Sequence, residues 1–217
     1  GDNALTSCTD GYQNTCMGVY AMENTTSANQ NAAAGFCALR LNETGERNTA
    51  MGAKALRSAV TGDFNTAVGY YALYLTNGAN WNTALGFDAG KSIVGGNTNT
   101  VLGAKAGDNI TTGSSNIIIG YNIDADSATG SNQLNIGGAI KGNLSSGDIT
   151  FTGHVLPSGD NSKDLGSAAK RWQNIYTTDL HLANERGNWT VIEEENYLTL
   201  RNNKTNKVYK LVMEEIE

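Results

Sequence analysis

The sequence predicts an all-β protein: a trimeric parallel β-roll or β-solenoid with 17-residue coils, followed by a small antiparallel β-module. Three observations predict this fold class. Glycine recurs every 17 residues, asparagine recurs four residues before the glycine, and apolar residues recur in phase with both. A fixed period this short is typical of stacked coils that contact only their neighbours, and it excludes most enzyme folds.

The repeat extends over the first two thirds of the chain. The glycines are Gly1, Gly18, Gly35, Gly52, Gly69, Gly86, Gly103, Gly120 and Gly137. The asparagines are Asn14, Asn31, Asn48, Asn65, Asn82, Asn99 and Asn116, and Gln133 takes the eighth such position. Each repeat is too short for a helix pair or a propeller blade. It suits one coil with two or three short strands.

Each repeated residue type has a predicted structural role. Glycine takes a positive φ without steric cost, so it suits a corner of the coil. Asparagine in register is expected to form a ladder of side-chain amides along the fibre axis. The residues expected to shape the coils are Asn65, Gly69, Asn82, Gly86, Asn99, Gly103, Asn116 and Gly120. A second corner is marked by Gly45, Gly62, Gly96, Gly113 and Gly130, with Ala79 as the exception. This role is favoured over a phosphate loop or a dinucleotide fingerprint.

The coils are poor in bulky apolar residues, which predicts association between chains. The inward positions are mostly alanine with one or two larger aliphatic residues, so a single coil buries little apolar area. The position after each glycine carries an apolar side chain without cover of its own, as at Val19, Phe36, Tyr70, Phe87 and Tyr121. Association of three chains about one axis covers these side chains, so we expect a homotrimer.

Composition narrows the functional classes. The chain has 26 glycines, one proline and a formal net charge of −6, and this acidic balance argues against nucleic acid as a partner. No apolar run is long enough to span a bilayer, so no membrane insertion is expected. Cys8, Cys16 and Cys37 lack metal-ligand spacing, and Cys16 takes a slot that alanine holds in later coils. Because Gly1 lies inside a repeat, we expect the chain to be part of a longer fibre.

The composition changes near residue 140, which predicts three segments. These are a shaft of repeats at 1–140, a linker and strand at 141–163, and a β-module at 164–217 that serves as a trimerisation clamp or a tip. Alternating segments at 188–192, 197–201 and 207–213 predict strands, and the last two flank a turn-rich loop at 202–206. The acidic run at 193–195 is interpreted as a solvated turn.

The module has its own candidate core. The side chains singled out in it are Trp172, Tyr176, Trp189 and Tyr209. Trp189 and Tyr209 are expected to pack with Leu198, Leu200, Leu211 and Met213. A module of this size is too small to be robust alone, which again favours support from a trimer.

The repeats resemble those of two known groups of fibrous proteins. The run Asn65–Gly69 with Ala72–Leu73 following is similar to the head repeats of trimeric autotransporter adhesins, and still more to repeats in bacteriophage tail-fibre proteins. The resemblance covers about residues 1–140 and implies a trimeric β-roll with strands running across the fibre axis. The adhesin motif is one residue longer between Asn and Gly and its coil is shorter, so the cross-section is expected to differ.

A second resemblance lies at 164–176. Its order of leucine-glycine-serine, arginine-tryptophan and isoleucine-tyrosine resembles a phage tail-fibre motif between the shaft and a C-terminal module. In many such proteins a self-cleaving endosialidase-type chaperone follows, beginning Ser-Asp-x-Arg-x-Lys. Asn184–Gly187 follows here instead, so no self-cleavage is expected.

The resemblance implies a structural fibre protein of a phage virion that extends from the particle and attaches to the host surface. Its partners would be two further copies, other virion tail proteins, and a host cell-surface glycan or protein receptor. A bacterial surface adhesin head is the alternative, but it would continue into a heptad stalk, and no heptads occur here. A glycan-cleaving tailspike needs paired carboxylates. The acidic residues of the coils are sparse and out of register, as at Glu43, Glu46, Asp63, Asp88 and Asp108.

Residues with catalytic or metal-binding chemistry are few. His154 and His181 lie on different predicted strands, and no serine is marked by a nucleophile motif. His181 is expected at the surface or in a trimer interface. The segment Asn122–Asp126 is oxygen-rich but lacks the bidentate glutamate of a calcium loop. The sequence therefore predicts a protein that is not an enzyme and holds no cofactor or metal, with an ion on the fibre axis as the open alternative.

Overall fold

The computed structural model describes residues 1–158, 165, 167, 169–170, 172–177, 179–183, 187–193 and 197–211, with backbone only at Asp179 and Glu193. These residues form strands and turns without any helix, which confirms the all-β prediction. The chain separates into two compact units, Gly1–Leu156 and Pro157–Glu217.

The first unit is a parallel β-solenoid. Eight parallel strands stack in sequence order, one per coil, in a sheet that two antiparallel strands extend. The parallel strands are β1 (Thr15–Met17), β2 (Ala32–Ala34), β3 (Thr49–Met51), β4 (Thr66–Val68), β5 (Thr83–Leu85), β6 (Thr100–Leu102), β7 (Ile117–Ile119) and β8 (Gln133–Ile136). Ala67 lies opposite Ala84, and Ala84 lies opposite Val101. Neighbouring coils are thus offset by the 17 residues that the sequence predicts.

Each coil has one strand, whereas two or three were expected. The remainder of the coil changes direction too often for a second strand. Tyr71 and Leu73 adopt left-handed φ values of 58° and 50°, and Trp81 adopts 61° at the next corner. Backbone hydrogen bonds still join the coils there, as from Leu56 N to Ala72 O at 3.0 Å. The coil is therefore held along its whole length, although only three or four of its residues have strand geometry.

The repeat glycine is required for two separate reasons. Gly86 has a φ of 141°, a region that side chains rarely adopt. A Cβ atom at Gly86 would also overlap the carbonyl of Gly103 in the next coil.

Glycine is required at the second corner for a different reason from the one expected. Gly62 and Gly96 do not have a positive φ. Instead, a Cβ atom at Gly62 would meet the carbonyl oxygen of Ala79, and one at Gly96 would meet that of Gly113. The corner therefore selects small residues by close approach between coils, and alanine occupies it at Ala28 and Ala79.

Two core positions of the coil exchange a large side chain between them, while Val101 and Ile118 add a second large side chain in the later coils. The fourth residue after the glycine is large in four coils and glycine in the next two: Met22, Leu39, Leu56, Leu73, Gly90 and Gly107. The seventh residue changes in the opposite sense: Thr25, Asn42, Ala59, Thr76, Ile93 and Ile110. All the large members of both sets are fully buried. At these two positions a large side chain is therefore accompanied by a smaller residue at the other, as close packing requires.

Two polar residues lie in β8, where the stack of parallel coils ends. Gln133 ends the asparagine column, and its Nε2 donates to Gly130 O at 2.8 Å and Ser127 O at 2.9 Å. Asn135 stands where other coils bury an apolar side chain, and it donates to Asp124 O at 2.8 Å. The antiparallel strands β9 (Ile140–Asn143) and β10 (Asp148–Phe151) then complete the sheet. Both strands lie at or within the segment 141–163, for which the sequence predicts a linker and one strand, so the second strand was not predicted.

The second unit is a four-stranded antiparallel sheet in the order β11 (Asp179–Ala183), β12 (Asn188–Glu193), β13 (Leu198–Asn202) and β14 (Val208–Lys210). The predicted hairpin across 202–206 is confirmed, and its last strand is shorter than predicted. Trp189 and Tyr209 approach with ring centroids 5.8 Å apart, although Tyr209 and Leu211 remain exposed. The predicted acidic turn at 193–195 begins later than expected, because Glu193 ends β12. Residues 194–195 and Met213 lie outside the described residues.

A glycine-to-valine change tests the repeat corner. We expect Gly86→Val to destabilise the fold by more than about 2 kcal/mol, because it combines a strained φ with a backbone overlap. Gly95→Ala is the control, since a Cβ atom there meets nothing within 4 Å. Thermal unfolding followed by circular dichroism measures both. A melting temperature for Gly86→Val equal to that of the parent would contradict the corner assignment.

A paired substitution tests the exchange of a large side chain between the two core positions. A Cβ atom at Gly90 would lie 3.0 Å from side-chain atoms of Leu73, Ile93 and Val101. We therefore expect Gly90→Leu to cost about 1–3 kcal/mol through overpacking. Adding Ile93→Thr restores the combination found at Leu73 and Thr76, so the double variant should recover at least half of that loss. Denaturant unfolding of the full cycle measures the coupling, and purely additive effects would contradict the pairing.

Candidate assembly and attachment surfaces

The repeated asparagines form a continuous ladder through the solenoid. The backbone N–H of Asn82 donates to Asn65 Oδ1 at 3.0 Å, and its Nδ2 donates to the same oxygen at 3.2 Å. Nδ2 also donates to Gly96 O at 2.9 Å in the following coil. The same bonds to the preceding Oδ1 and to the following corner carbonyl recur at Asn65 and Asn99. These buried amides thus satisfy one another, as burial demands.

The repeat residues that were predicted to shape the coils form two columns in the structure, one of asparagine and one of glycine. Asn65, Asn82, Asn99 and Asn116 are fully buried, so they are not available to a ligand at the surface. Gly69, Gly86, Gly103 and Gly120 have φ values between 124° and 141°. The structure brings each set together as a column that spaces the coils.

An apolar stripe runs along the outer face of the stacked strands. It consists of exposed side chains that directly precede or follow the repeat glycine: Met17, Val19, Phe36, Met51, Tyr70, Leu85, Phe87, Leu102 and Tyr121. Leu85 and Leu102 are paired in register, and the rings of Tyr70 and Phe87 stack at 5.6 Å. The stripe is continuous because strands in register bring equivalent residues together. An exposed apolar band of this extent is typical of an interaction surface.

A second group of surface residues combines tyrosines with basic side chains. Lys54 Nζ donates to Tyr71 Oη at 2.6 Å and lies 4.8 Å from the ring centroid. Lys91 Nζ lies 5.2 Å from the same ring, and Arg57 Nη1 donates to Tyr74 Oη at 3.3 Å. The hydrogen bond from Lys54 lowers the pKa of Tyr71 and raises that of Lys54. These contacts link three successive coils across the surface.

A stacked aromatic pair lies at another corner of the coil. Phe64 and Trp81 directly precede repeat asparagines, and their rings are 3.9 Å apart with an interplanar angle of 4°. The guanidinium of Arg47, one coil earlier, lies 5.0 Å from the Phe64 ring centroid. Neither aromatic residue was singled out from the sequence, because the corner column is otherwise polar and shows no apolar period.

The acidic residues near the end of the solenoid are paired with near neighbours. Burial raises the pKa of Asp108, and the charge and hydrogen bonding of Asp124 raise it further. Asp126 forms an ion pair with Lys141 at 2.6 Å. Among the described residues, no group of three or more His, Cys, Asp or Glu side chains is arranged to hold a metal ion.

The named residues of the C-terminal unit are spread over its surface. Trp172 and Tyr176 are exposed, whereas Trp189 is half-buried against Tyr209. His181 Nδ1 lies 2.7 Å from the Thr190 hydroxyl, and Asn203 Nδ2 donates to that hydroxyl at 2.9 Å. His181 is therefore engaged in a polar network with threonine and asparagine.

Comparison with known proteins does not place the chain in a group. No family model matches it, no curated protein matches it, and no solved structure matches it. In the part of the chain that the structure describes, no helix has the length and apolar character needed to cross a membrane.

The raised pKa of Asp108 predicts a pH-dependent stability. A carboxyl whose folded pKa is raised contributes most at low pH, and the contribution is lost as pH rises through the folded value. We expect Asp108→Asn to raise the melting temperature at pH 7 by about 2 °C and to give no gain at pH 3. The control Asp126→Asn removes an ion pair with Lys141 and should give no gain at pH 7. Equal effects of Asp108→Asn at both pH values would contradict the interpretation.

Proposed function

We propose that the chain is part of the trimeric shaft and C-terminal module of a phage tail fibre, which extends from the virion and mediates attachment to the host. The observation that carries this proposal is the apolar stripe, which lies uncovered along the whole solenoid of a single chain. Threefold packing of such stripes about one axis would bury this apolar surface. The number three and the phage context rest on the resemblance of the repeats and of the 164–176 segment to tail-fibre proteins.

Several features support a structural rather than a catalytic protein. The polar columns of the solenoid are occupied by asparagine–asparagine and asparagine–backbone hydrogen bonds. A glycosidase needs two carboxyls roughly 5–10 Å apart across a sugar. Asp124 instead acts on Asp108 at short range, since its charge and hydrogen bonding add to the effect of burial in raising the pKa of Asp108. This geometry disfavours them as the catalytic pair of a glycan-cleaving tailspike.

Antibody labelling distinguishes the phage proposal from the bacterial adhesin. Antibodies raised against the purified chain are applied to phage particles and to cells from the same source culture, and bound gold is located by electron microscopy. We expect label along fibres that project from phage tails. Label on the surface of uninfected cells would favour the adhesin head and contradict the virion assignment.

A substitution in the apolar stripe tests the trimer. We expect light scattering at micromolar concentration to give about three times the chain mass for the parent, because an exposed apolar band of this kind drives association. Leu85→Lys places a charge in the stripe and should lower that mass. The control Leu75→Lys changes a leucine of similar exposure, 41% against 46%, which lies outside the stripe. A monodisperse parent monomer, or equal effects of the two variants, would contradict assembly through the stripe.

A further inference from the structure

The stacked rings of Phe64 and Trp81 end abruptly along the solenoid. The corner position before each repeat asparagine keeps the same backbone geometry in successive coils, with φ values of 57°, 61°, 57° and 58° at Phe64, Trp81, Thr98 and Ser115. Backbone bonds keep these coils in register, as from Thr98 N to Asn80 O at 3.0 Å. Thr98 therefore lies beside Trp81 in the place that a third ring would occupy.

The change from tryptophan to threonine leaves a shelf on one side of Trp81. The side chain of Trp81 is large and the residue is 57% exposed. Arg47 covers one end of the stack, at Phe64. Within the described residues, the only ring or cation that contacts Trp81 is Phe64. On the opposite side of the indole the column continues with two short side chains, Thr98 in the next coil and Ser115 in the one after, whose hydroxyls lie 2.9 Å apart.

The shelf is polar and carries no formal charge. The charged residues of this corner, Glu46, Arg47 and Asp63, all belong to coils on the other side of Trp81. Asn97 and Ser114 adjoin the shelf. Among the described contacts, the indole N–H of Trp81 and Nδ2 of Asn97 have no acceptor, so both remain donors to a ligand. A flat apolar face next to neutral donors and acceptors matches a ligand with one apolar face and a hydroxylated edge.

We propose that this shelf binds a hexopyranose ring of a neutral glycan, with the apolar face of the sugar stacked on Trp81. The sugar hydroxyls then meet the indole N–H, the Asn97 amide and the hydroxyls of Thr98 and Ser115. A second copy of the chain fits this corner poorly, because the column around Trp81 is otherwise polar, whereas the apolar stripe offers a continuous contact. The biological meaning of the site rests on the proposed attachment function, but the binding itself is measured separately.

Native electrophoresis of the full chain, in gels that contain a dissolved polysaccharide, tests the site. A protein that binds the polysaccharide migrates more slowly. The probes are dextran, mannan and a soluble β-glucan as neutral polymers, with polygalacturonate and dextran sulfate as charged ones. We expect at least one neutral polymer to retard the parent and Trp81→Ala to weaken that retardation by tenfold or more. Thr98→Trp should abolish it as well, because the new indole fills the shelf while Trp81 is kept.

A matched control and a fluorescence titration complete the test. Gln13→Trp adds an indole at the same corner position in a distant coil, with a similar φ of 58°, and should leave binding unchanged. With Trp172 and Trp189 replaced by phenylalanine, emission from Trp81 alone should change saturably with the neutral polymer that retards the parent.

Four outcomes would overturn the proposal. These are no retardation of the parent by any neutral polymer, retardation by charged polymers only, binding unaffected by Trp81→Ala or Thr98→Trp, and a change in oligomer mass on Trp81→Ala. The last outcome would identify the corner as a contact between copies. Particle labelling and the parent mass do not depend on this site, so failure here is distinguishable from failure of the fibre proposal.

Discussion

The in-register hydrogen bonding of each coil to the next is the interaction on which the rest of the structure depends. Its most demanding part is the asparagine ladder, in which Asn82 contacts the Asn65 side chain and the Gly96 carbonyl in successive coils. A buried amide left without partners costs more than its hydrogen bonds contribute, so a shift of one coil by one residue would be heavily penalised. The ladder therefore sets the register as well as the spacing.

Strict register converts every position of the repeat into a column along the solenoid. The strand pairing aligns Ala67 with Ala84 inside and Leu85 with Leu102 outside. A preference for a residue type at one position thus becomes a continuous physical surface, such as the alanine core or the apolar stripe. The Phe64 and Trp81 pair has the same origin, because two aromatic residues 17 apart in sequence are necessarily stacked neighbours.

The small core places limits on how the protein is stabilised. Each coil buries only one or two large apolar side chains among alanines, so the apolar contribution per coil is modest. Polar bonds and contacts between neighbouring coils supply much of the remainder, as is usual in repeat proteins. Polar residues also end the stack, since the side chains of Gln133 and Asn135 bond the nearby carbonyls of Gly130 and Asp124. Because the core is this small, many apolar residues remain on the outside, where only association between chains can bury them.

The sequence by itself determined the all-β class, the 17-residue coil, the columns of asparagine and glycine, and the hairpin of the C-terminal unit. The features of the solenoid follow from the strict repeat, which leaves one register that satisfies every coil. The hairpin follows from two alternating segments on either side of a turn-rich loop. The tertiary structure alone decided that each coil has a single strand. It also decided that Gly62 is required by the close approach of the Ala79 carbonyl rather than by a positive φ. The structure further decided that Gly90 and Ile93 take the places of Leu73 and Thr76 in the next coil, with the large side chain at the other position, and that Phe64 stacks on Trp81. Each of these depends on distances between coils, and such distances are set only when the chain has closed its turn and met the next one.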